Sequence, residues 1–365
     1  FTQVEQLNKT ALKAHGLDKS GHLYKVNSFD FHRYEDTIKL ADDPDYNQAN
    51  FEGMLEIKGD TDHTKLIEML DALNDESQKI DNVLDTYFDT ENLVYWLAFQ
   101  ILTGNCDTQN RNCYLYSPLN SNTWYFLDWD NDGMLRKLEL SLTGFSDYAS
   151  WERGASNYWG NVLFNRALRS KAFRGELDRA VKDLRTYLTE TRLTKMIKHY
   201  REVTESLVFA SPDIDNLPVT KDQYEQIAAA IPSEIEENYK SFRESFKKPM
   251  PFYIGVPQID NGKLRINWDA SYDFEARDIR YTVELARDYA ISDVVFKAED
   301  VLLPEVTCDA PDTGQYFVRV RATNSDGYTQ DAFDYYVTDD GKHYGMKCFY
   351  VQDGGKVVED TYEEG

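Results

Sequence analysis

The sequence lacks several features that mark particular classes of protein. No apolar run approaches the roughly 20 residues of a transmembrane helix, so no membrane span is expected in this chain. Four cysteines without C-x-x-C spacing and six histidines that never pair at ligand spacing give no support to a zinc site. Acidic residues outnumber basic ones by 64 to 40, which gives a net charge of −24 and repels nucleic acid. We therefore expect a protein that does not bind nucleic acid.

Core-forming residues are abundant. Of 365 residues, 41% are hydrophobic and 14% aromatic, which is enough for packed cores, and the length suggests two domains. The sequence opens with FTQVEQ, without an initiator methionine or a signal peptide, so we expect a processed form or a fragment.

Helical patterns dominate the first two thirds of the chain. Apolar residues at helical spacing predict a helix over residues 90–103 that ends at Gly104. Residues 162–246 are helical in pattern almost throughout, and we expect their last helix to begin at Ser233, with Glu236 completing a capping box. Three prolines in the following stretch KKPMPFYIGVP mark a domain boundary.

Strand patterns follow this boundary. Short alternating runs separated by turn residues, about ten residues apart, are typical of a β-sandwich. Trp268 on an early strand and Tyr316 at the start of YFVRVRATNSDG resemble the fibronectin type III module, with Tyr316 in the place of its corner tyrosine. The fold class is therefore α+β, a helix-rich region followed by an all-β sandwich. The expected domains are a helix-rich domain, a sandwich and a C-terminal hairpin or tail, at residues 1–247, 252–338 and 339–365.

An acidic stretch, DWDNDGMLRKLE, matches the calcium-loop signature D-x-[DN]-x-[DN]-G-x5-E at every fixed position, from Asp128 to Glu139. A calcium loop of the EF-hand type needs a helix on each side. The preceding residues, NCYLYSPLNSNTWYFL, instead predict a strand, a turn and a strand. A non-catalytic, calcium-stabilised adhesion or structural module stays an alternative, in which Glu139 would be a bidentate ligand.

A second pattern lies just upstream of this hairpin. Kinases place an acidic residue that orients the attacking hydroxyl, then an asparagine five residues later, then a metal-binding aspartate after a hairpin. Asp107 and Asn112 have that spacing, and three aspartates follow across the predicted hairpin: Asp128, Asp130 and Asp132. The alternative is a surface loop whose polar side chains cap their own turn.

Together these residues resemble a family. The stretches LVYWLAFQILTGNCDTQNRNCYLY and NTWYFLDWDNDG closely resemble the core of the CotH family, the spore-coat protein H type of atypical protein kinase. FTQVEQLNKTALKAHGLDKSGHLYK and YWGNVLFNRAL also look like parts of that family, and the resemblance covers roughly residues 1–246. It implies a kinase-like C-terminal lobe and transfer of phosphate from ATP, with Mg²⁺, to Ser or Thr of coat or extracellular proteins. The metal would be Ca²⁺ or Mn²⁺ in the alternatives, and the location secreted, cell envelope or spore coat in a bacterium.

The resemblance also assigns site residues. Asp107 would be the catalytic base, and Asn112, Asp130 and Asp132 would be metal ligands. The expected nucleotide-binding residues are Val4, Glu5, Lys25 and Arg111. FTQVEQ would be the adenine-facing strand after an N-terminal lobe that this chain lacks, so we expect activity to belong to the full-length protein.

Two groups beside these residues allow alternatives. Cys106 and Cys113 flank the Asp107 loop and would form a disulfide in an exported protein, or pack as free thiols. Trp151, Tyr158 and Trp159 would form a carbohydrate or peptide platform, or part of the core.

Overall fold

The computed structural model describes residues 5–144, 149–339 and 341–360. The chain forms two compact units. The first comprises the described residues of Phe1–Ser146 and Tyr158–Lys240, and the second those of Asp147–Asn157 and Ser241–Gly365. Helices followed by antiparallel sheets confirm the α+β fold class.

Ten α-helices lie in the described residues: α1 Lys9–Ala14, α2 Gln48–Met54, α3 Thr64–Asn74, α4 Ile80–Tyr87, α5 Thr90–Thr103, α6 Lys137–Thr143, α7 Val162–Arg169, α8 Lys171–Tyr187, α9 Glu190–Val208 and α10 Lys221–Ser245. Four strands accompany them: β1 His22–Val26, β2 Leu55–Ile57, β3 Cys113–Ser117 and β4 Tyr125–Asp128. None of the helices in these described ranges is long and apolar enough to cross a membrane.

The four strands form one antiparallel sheet in the order β2-β1-β3-β4. The predicted strand–turn–strand is confirmed as the hairpin β3–β4. One face of the sheet packs on the helices, where Phe126 of β4 lies 4.8 Å from the ring of Trp96 on α5. Buried aromatic pairs of this kind contribute beyond their buried area, so the hairpin is fixed firmly against α5.

The predicted start of the last helix is wrong. Helix α10 begins at Lys221, not at Ser233, and Pro232 lies inside it. The capping box is formed by Thr220 and Gln223: the Gln223 N–H donates to Thr220 Oγ1 at 3.3 Å, and the Thr220 N–H donates to Gln223 Oε1 at 2.8 Å. Ser233 instead donates its hydroxyl to the carbonyl of Ala230, 2.8 Å away.

The second unit is built from strands: β5 Gln258–Asp260, β6 Lys263–Asn267, β7 Ile279–Ala286, β8 Val294–Val301, β9 Glu305–Asp309, β10 Gly314–Asn324, β11 Thr329–Asp331, β12 Tyr335–Thr338, β13 Gly341–Tyr344, β14 Met346–Val351 and β15 Val357–Glu359. One sheet has the order β5-β6-β9 and another the order β15-β14-β10-β7-β8, with β11 paired to β10. Strands β12 and β13 form a separate hairpin.

A buried apolar core joins residues of the two larger sheets, including Trp268, which is 4% exposed. The Tyr316 hydroxyl donates to the carbonyl of Asp312, four residues upstream, at 3.0 Å. This is the contact of a corner tyrosine, as predicted for a fibronectin-like sandwich. The final hairpin β14–β15 is not a separate element, because β14 pairs with β10 in the sheet.

Candidate active site

The loop that carries Asp107 starts at a well-defined helix end. Gly104 ends α5 in the left-handed conformation, with φ of 64°, and its N–H donates to carbonyls of the last turn, as predicted. Three contacts then fix the loop from outside. The Phe29 N–H donates to Asn110 O at 2.7 Å, the Asn161 amide donates to Gln109 O at 2.8 Å, and the hydroxyls of Thr108 and Tyr158 lie 2.9 Å apart.

Asp107 and Asn112 meet in this loop. The Asn112 Nδ2 donates to Asp107 Oδ2 at 2.7 Å, and the Arg111 guanidinium lies 3.7 Å from Asp107 Oδ1. The pKa of Asp107 is raised, and removal of the carboxyl from water is the largest cause. Arg111 and the hydrogen bond from Asn112 lower the pKa, whereas the negative charges of Asp132 and Asp130 raise it. The side chain is still 51% exposed, so it remains open to a substrate.

The acidic turn follows β4. Asp130 has φ of 54°, and residues Asn131–Gly133 form one turn of 3-10 helix. Gly133 is required by a close approach, because a Cβ atom there would lie 2.7 Å from Asn105 Oδ1 and 3.4 Å from Asp107 Cβ. The turn therefore lies directly against the Asp107 loop, which brings the three predicted carboxylates to one region of the surface.

Sequence reasoning missed the buried polar residues between the loop and the turn. Gln100 is fully buried, and its Nε2 donates to Asp128 Oδ1 at 2.9 Å and to Asn131 Oδ1 at 3.3 Å. Asn105 is 1% exposed and donates to Gln100 Oε1 at 3.0 Å and to Asn131 Oδ1 at 3.3 Å. The Asp107 N–H in turn donates to Asn105 Oδ1 at 3.3 Å. No spacing pattern in the sequence marks these contacts, since they join α5 to a turn about 30 residues away.

The predicted nucleotide-binding residues do not gather in one place, unlike the predicted catalytic and metal-binding residues. Lys25 lies on β1, and its ammonium is 5.7 Å from the centre of the Trp129 ring. Trp129 is the residue directly before Asp130 in the sequence. Glu5 lies outside any strand, and so does Gln6, so the described part of FTQVEQ is not a strand. The Glu5 carboxylate lies 3.0 Å from His15 Nε2, within hydrogen-bond distance. Val4 lies outside the described residues. The structure thus brings Arg111 to Asp107, places Lys25 beside Trp129 and leaves Glu5 with a local partner.

The calcium alternative finds no support in this geometry. A bidentate Glu139 would have to face the ion together with Asp128. Glu139 instead pairs with Arg136, at 2.9 Å, on the first turn of α6, while Asp128 accepts from Gln100. Across the described ranges, no three His, Cys, Asp or Glu side chains are grouped so that they could hold a metal ion.

Magnesium is a better fit to the donor set. Proteins hold it with one or two carboxylates, and substrate phosphates and water complete the coordination. Asn112 uses its Nδ2 on Asp107, which leaves its carbonyl oxygen as a donor, and Asp130 and Asp132 supply carboxylates close enough to raise the pKa of Asp107. These residues are the ones that would hold the ion.

The remaining alternatives are resolved by burial. None of the four cysteines is part of a disulfide, so Cys106 and Cys113 are not linked to each other. Cys113 is buried on β3, and its burial raises the pKa of the thiol, which makes it a packing residue. Tyr158 and Trp159 are 1% and 6% exposed and therefore belong to the core, not to a platform. The Trp151 indole donates to the carbonyl of Ala332, and both residues belong to the second unit.

Comparisons with known proteins bear on the same region. The family model described as CotH kinase protein matches residues 1–242. Among solved structures, the chain is similar to the twitchin kinase region from C. elegans (Fn31-NL-kin-CRD-Ig26), with 18% identity and a TM-score of 0.20. The similar part covers 26% of this chain and 20% of that chain, so the chain spans about a fifth of it. No curated protein matches.

Proposed function

The chain belongs to the CotH kinase family, and from that membership and the geometry around Asp107 we propose that the protein transfers the γ-phosphate of ATP to Ser or Thr hydroxyls. The observation that carries the proposal is the arrangement of Asp107. Its carboxylate is held by Asn112, lies beside Arg111 and faces a turn with two further carboxylates. Kinases place an orienting acid and metal ligands in this relation.

In the proposed reaction the substrate hydroxyl oxygen forms a bond to the γ-phosphorus, and the bond from that phosphorus to the β–γ bridging oxygen breaks. The hydroxyl proton passes to an Asp107 oxygen, and ADP leaves with the electron pair of the broken bond. The raised pKa of Asp107 suits this role, because a stronger base accepts the proton more readily.

Asn112, Asp130 and Asp132 are the proposed ligands of Mg²⁺, which supplies charge neutralisation for the phosphates when bound. Arg111 and Lys25 are proposed to neutralise phosphate charge, and Val4 and Glu5 to face the adenine. For Glu5 this requires its contact with His15 to open. From the family resemblance alone, we propose substrates among coat or extracellular proteins and a location outside the cell. Cell fractionation tests the location, because the protein should then be detected in the envelope fraction or the culture medium.

Two substitutions test the activity. Asp107→Asn should lower phosphate incorporation on the order of 10²- to 10⁴-fold, because the proton acceptor is lost. It should leave metal-dependent ATP binding nearly intact. Asp130→Asn should weaken both, since it removes a metal ligand. Radiolabelled phosphate transfer and isothermal titration with and without Mg²⁺ measure the two effects.

The control is Asp85→Asn, which removes an exposed carboxylate on α4 and should change neither quantity. Phosphate incorporation that is unchanged by both site substitutions would overturn the kinase proposal.

A further inference from the structure

We propose that Gln100 is a positioning residue that holds the Asp107 loop and the acidic turn in one fixed arrangement, with Asp128 as its hydrogen-bond acceptor and not as a metal ligand. The inference deepens the proposed function and rests on it. Neither the family membership nor the calcium-loop signature assigns a role to Gln100.

Gln100 uses both ends of its side-chain amide. Its Nε2 donates to Asp128 and Asn131, at the end of β4 and in the acidic turn, at 2.9 and 3.3 Å. Its Oε1 accepts from Asn105, at the start of the Asp107 loop, at 3.0 Å. One side chain on α5 therefore contacts both segments that carry proposed site residues.

Burial makes these contacts costly to lose. Gln100 is fully buried and Asn105 is 1% exposed, so neither amide can turn to water for a replacement partner. Asn131 Oδ1 receives bonds from both of them. A fully connected buried network of this kind permits only one arrangement of its members, and the Asp107 N–H extends it into the loop.

The position of Asp128 agrees with a structural role. Asp128 Oδ1 accepts a hydrogen bond from the Gln100 amide. Asp128 also lies opposite Cys113 in the pairing of β3 with β4. An acceptor oxygen is what this role requires, and a negative charge is not.

Two substitutions at Asp128 distinguish its role as a hydrogen-bond acceptor from a role as a metal ligand. Asp128→Asn keeps an Oδ1 for the Gln100 amide but removes the charge, so it should keep metal-dependent ATP binding within about threefold of the unsubstituted protein. Asp128→Leu removes the acceptor and should lower kcat on the order of 10- to 100-fold, the loss expected when catalytic groups shift by about 1 Å.

Gln100→Met removes the amide at similar volume. We expect it to lower kcat by a similar factor, with little change in KM for the protein substrate, because it misplaces site residues without removing any of them. Gln48→Met, on an exposed residue of α2, is the matched control and should change neither constant.

Hydrogen exchange gives a readout that does not depend on activity. In Gln100→Met, amide exchange should accelerate in peptides that cover both 105–112 and 128–135, whereas β1 should exchange as before. A protein without phosphotransfer would refute the proposed function, and the exchange result would still decide the role of Gln100. Unchanged exchange in both segments would overturn the inference, as would an Asp128→Asn protein that loses ATP binding as Asp130→Asn does.

Discussion

Arg111 lies beside the carboxylate on which the proposed reaction depends. Its guanidinium, 3.7 Å from Asp107 Oδ1, lowers the pKa of Asp107 against the effect of burial and of two nearby aspartates. Removing this positive charge leaves the carboxylate less stabilised, so the pKa must rise. We therefore expect Arg111→Gln to move the acidic limb of the activity profile to higher pH.

The measurement is kcat against pH for the unsubstituted protein and for Arg111→Gln. Arg192→Gln, on α9 beside Tyr187, removes a charge away from Asp107 and should leave the profile unchanged. A limb that stays in place, or moves to lower pH, would show that Asp107 is not the group that the profile reports.

For single residues, the sequence predicts the groups that would react or bind metal better than the buried residues that hold those groups in place. Asp107 and Asn112 follow a recognisable spacing, and the structure brings them within 2.7 Å. Gln100 and Asn105 have no such signal, because a glutamine inside an apolar helix looks like any polar residue until its partners are known. In the sequence Gly133 belongs only to the calcium signature, whereas in the structure it is constrained by the close approach of Asn105.

Helix α10 shows that a capping-box pattern inside a longer helix can predict a wrong start for that helix. Ser233 and Glu236 have the capping-box spacing, but the helix already runs from Lys221, and Glu236 pairs with Arg185. Thr220 and Gln223 have the same spacing and make the actual bonds. Pro232 lies inside this helix, although proline is usually excluded from a helix interior.

This difference predicts unequal stabilities. Thr220→Ala removes a real cap and should lower the free energy of unfolding by about 0.5–2 kcal/mol. Ser233→Ala, in the helix interior, should be neutral or slightly stabilising, since its hydroxyl only bonds back to Ala230. Chemical denaturation of the two variants measures both effects, and equal losses would contradict this assignment of the cap.

At the scale of the whole molecule, composition and periodicity were sufficient to predict a helix-rich region followed by a sandwich. The corner role of Tyr316 is predicted from its resemblance to the fibronectin type III module, and the structure shows the contact with Asp312, four residues away. The pairing of β1 with β3 was not predictable in the same way, because it joins residues about 90 positions apart and leaves no local pattern. Long-range register needs the folded chain.

The net charge of −24 also acts at this scale. A strongly acidic protein attracts basic partners and repels acidic ones over roughly the Debye length, which is about 10 Å at 0.1 M salt. If the protein is a kinase, phosphate incorporation at low salt should favour a basic acceptor protein over an acidic acceptor with equal Ser and Thr content. The preference should appear mainly in kcat/KM, and it should shrink as NaCl rises from about 20 to 300 mM, because salt screens exposed charges.

Radiolabelled phosphate incorporation into the basic and the acidic acceptor, across that range of NaCl, measures the preference. A preference that persists unchanged at high salt would assign substrate choice to local contacts at the site and not to the charge of the whole molecule.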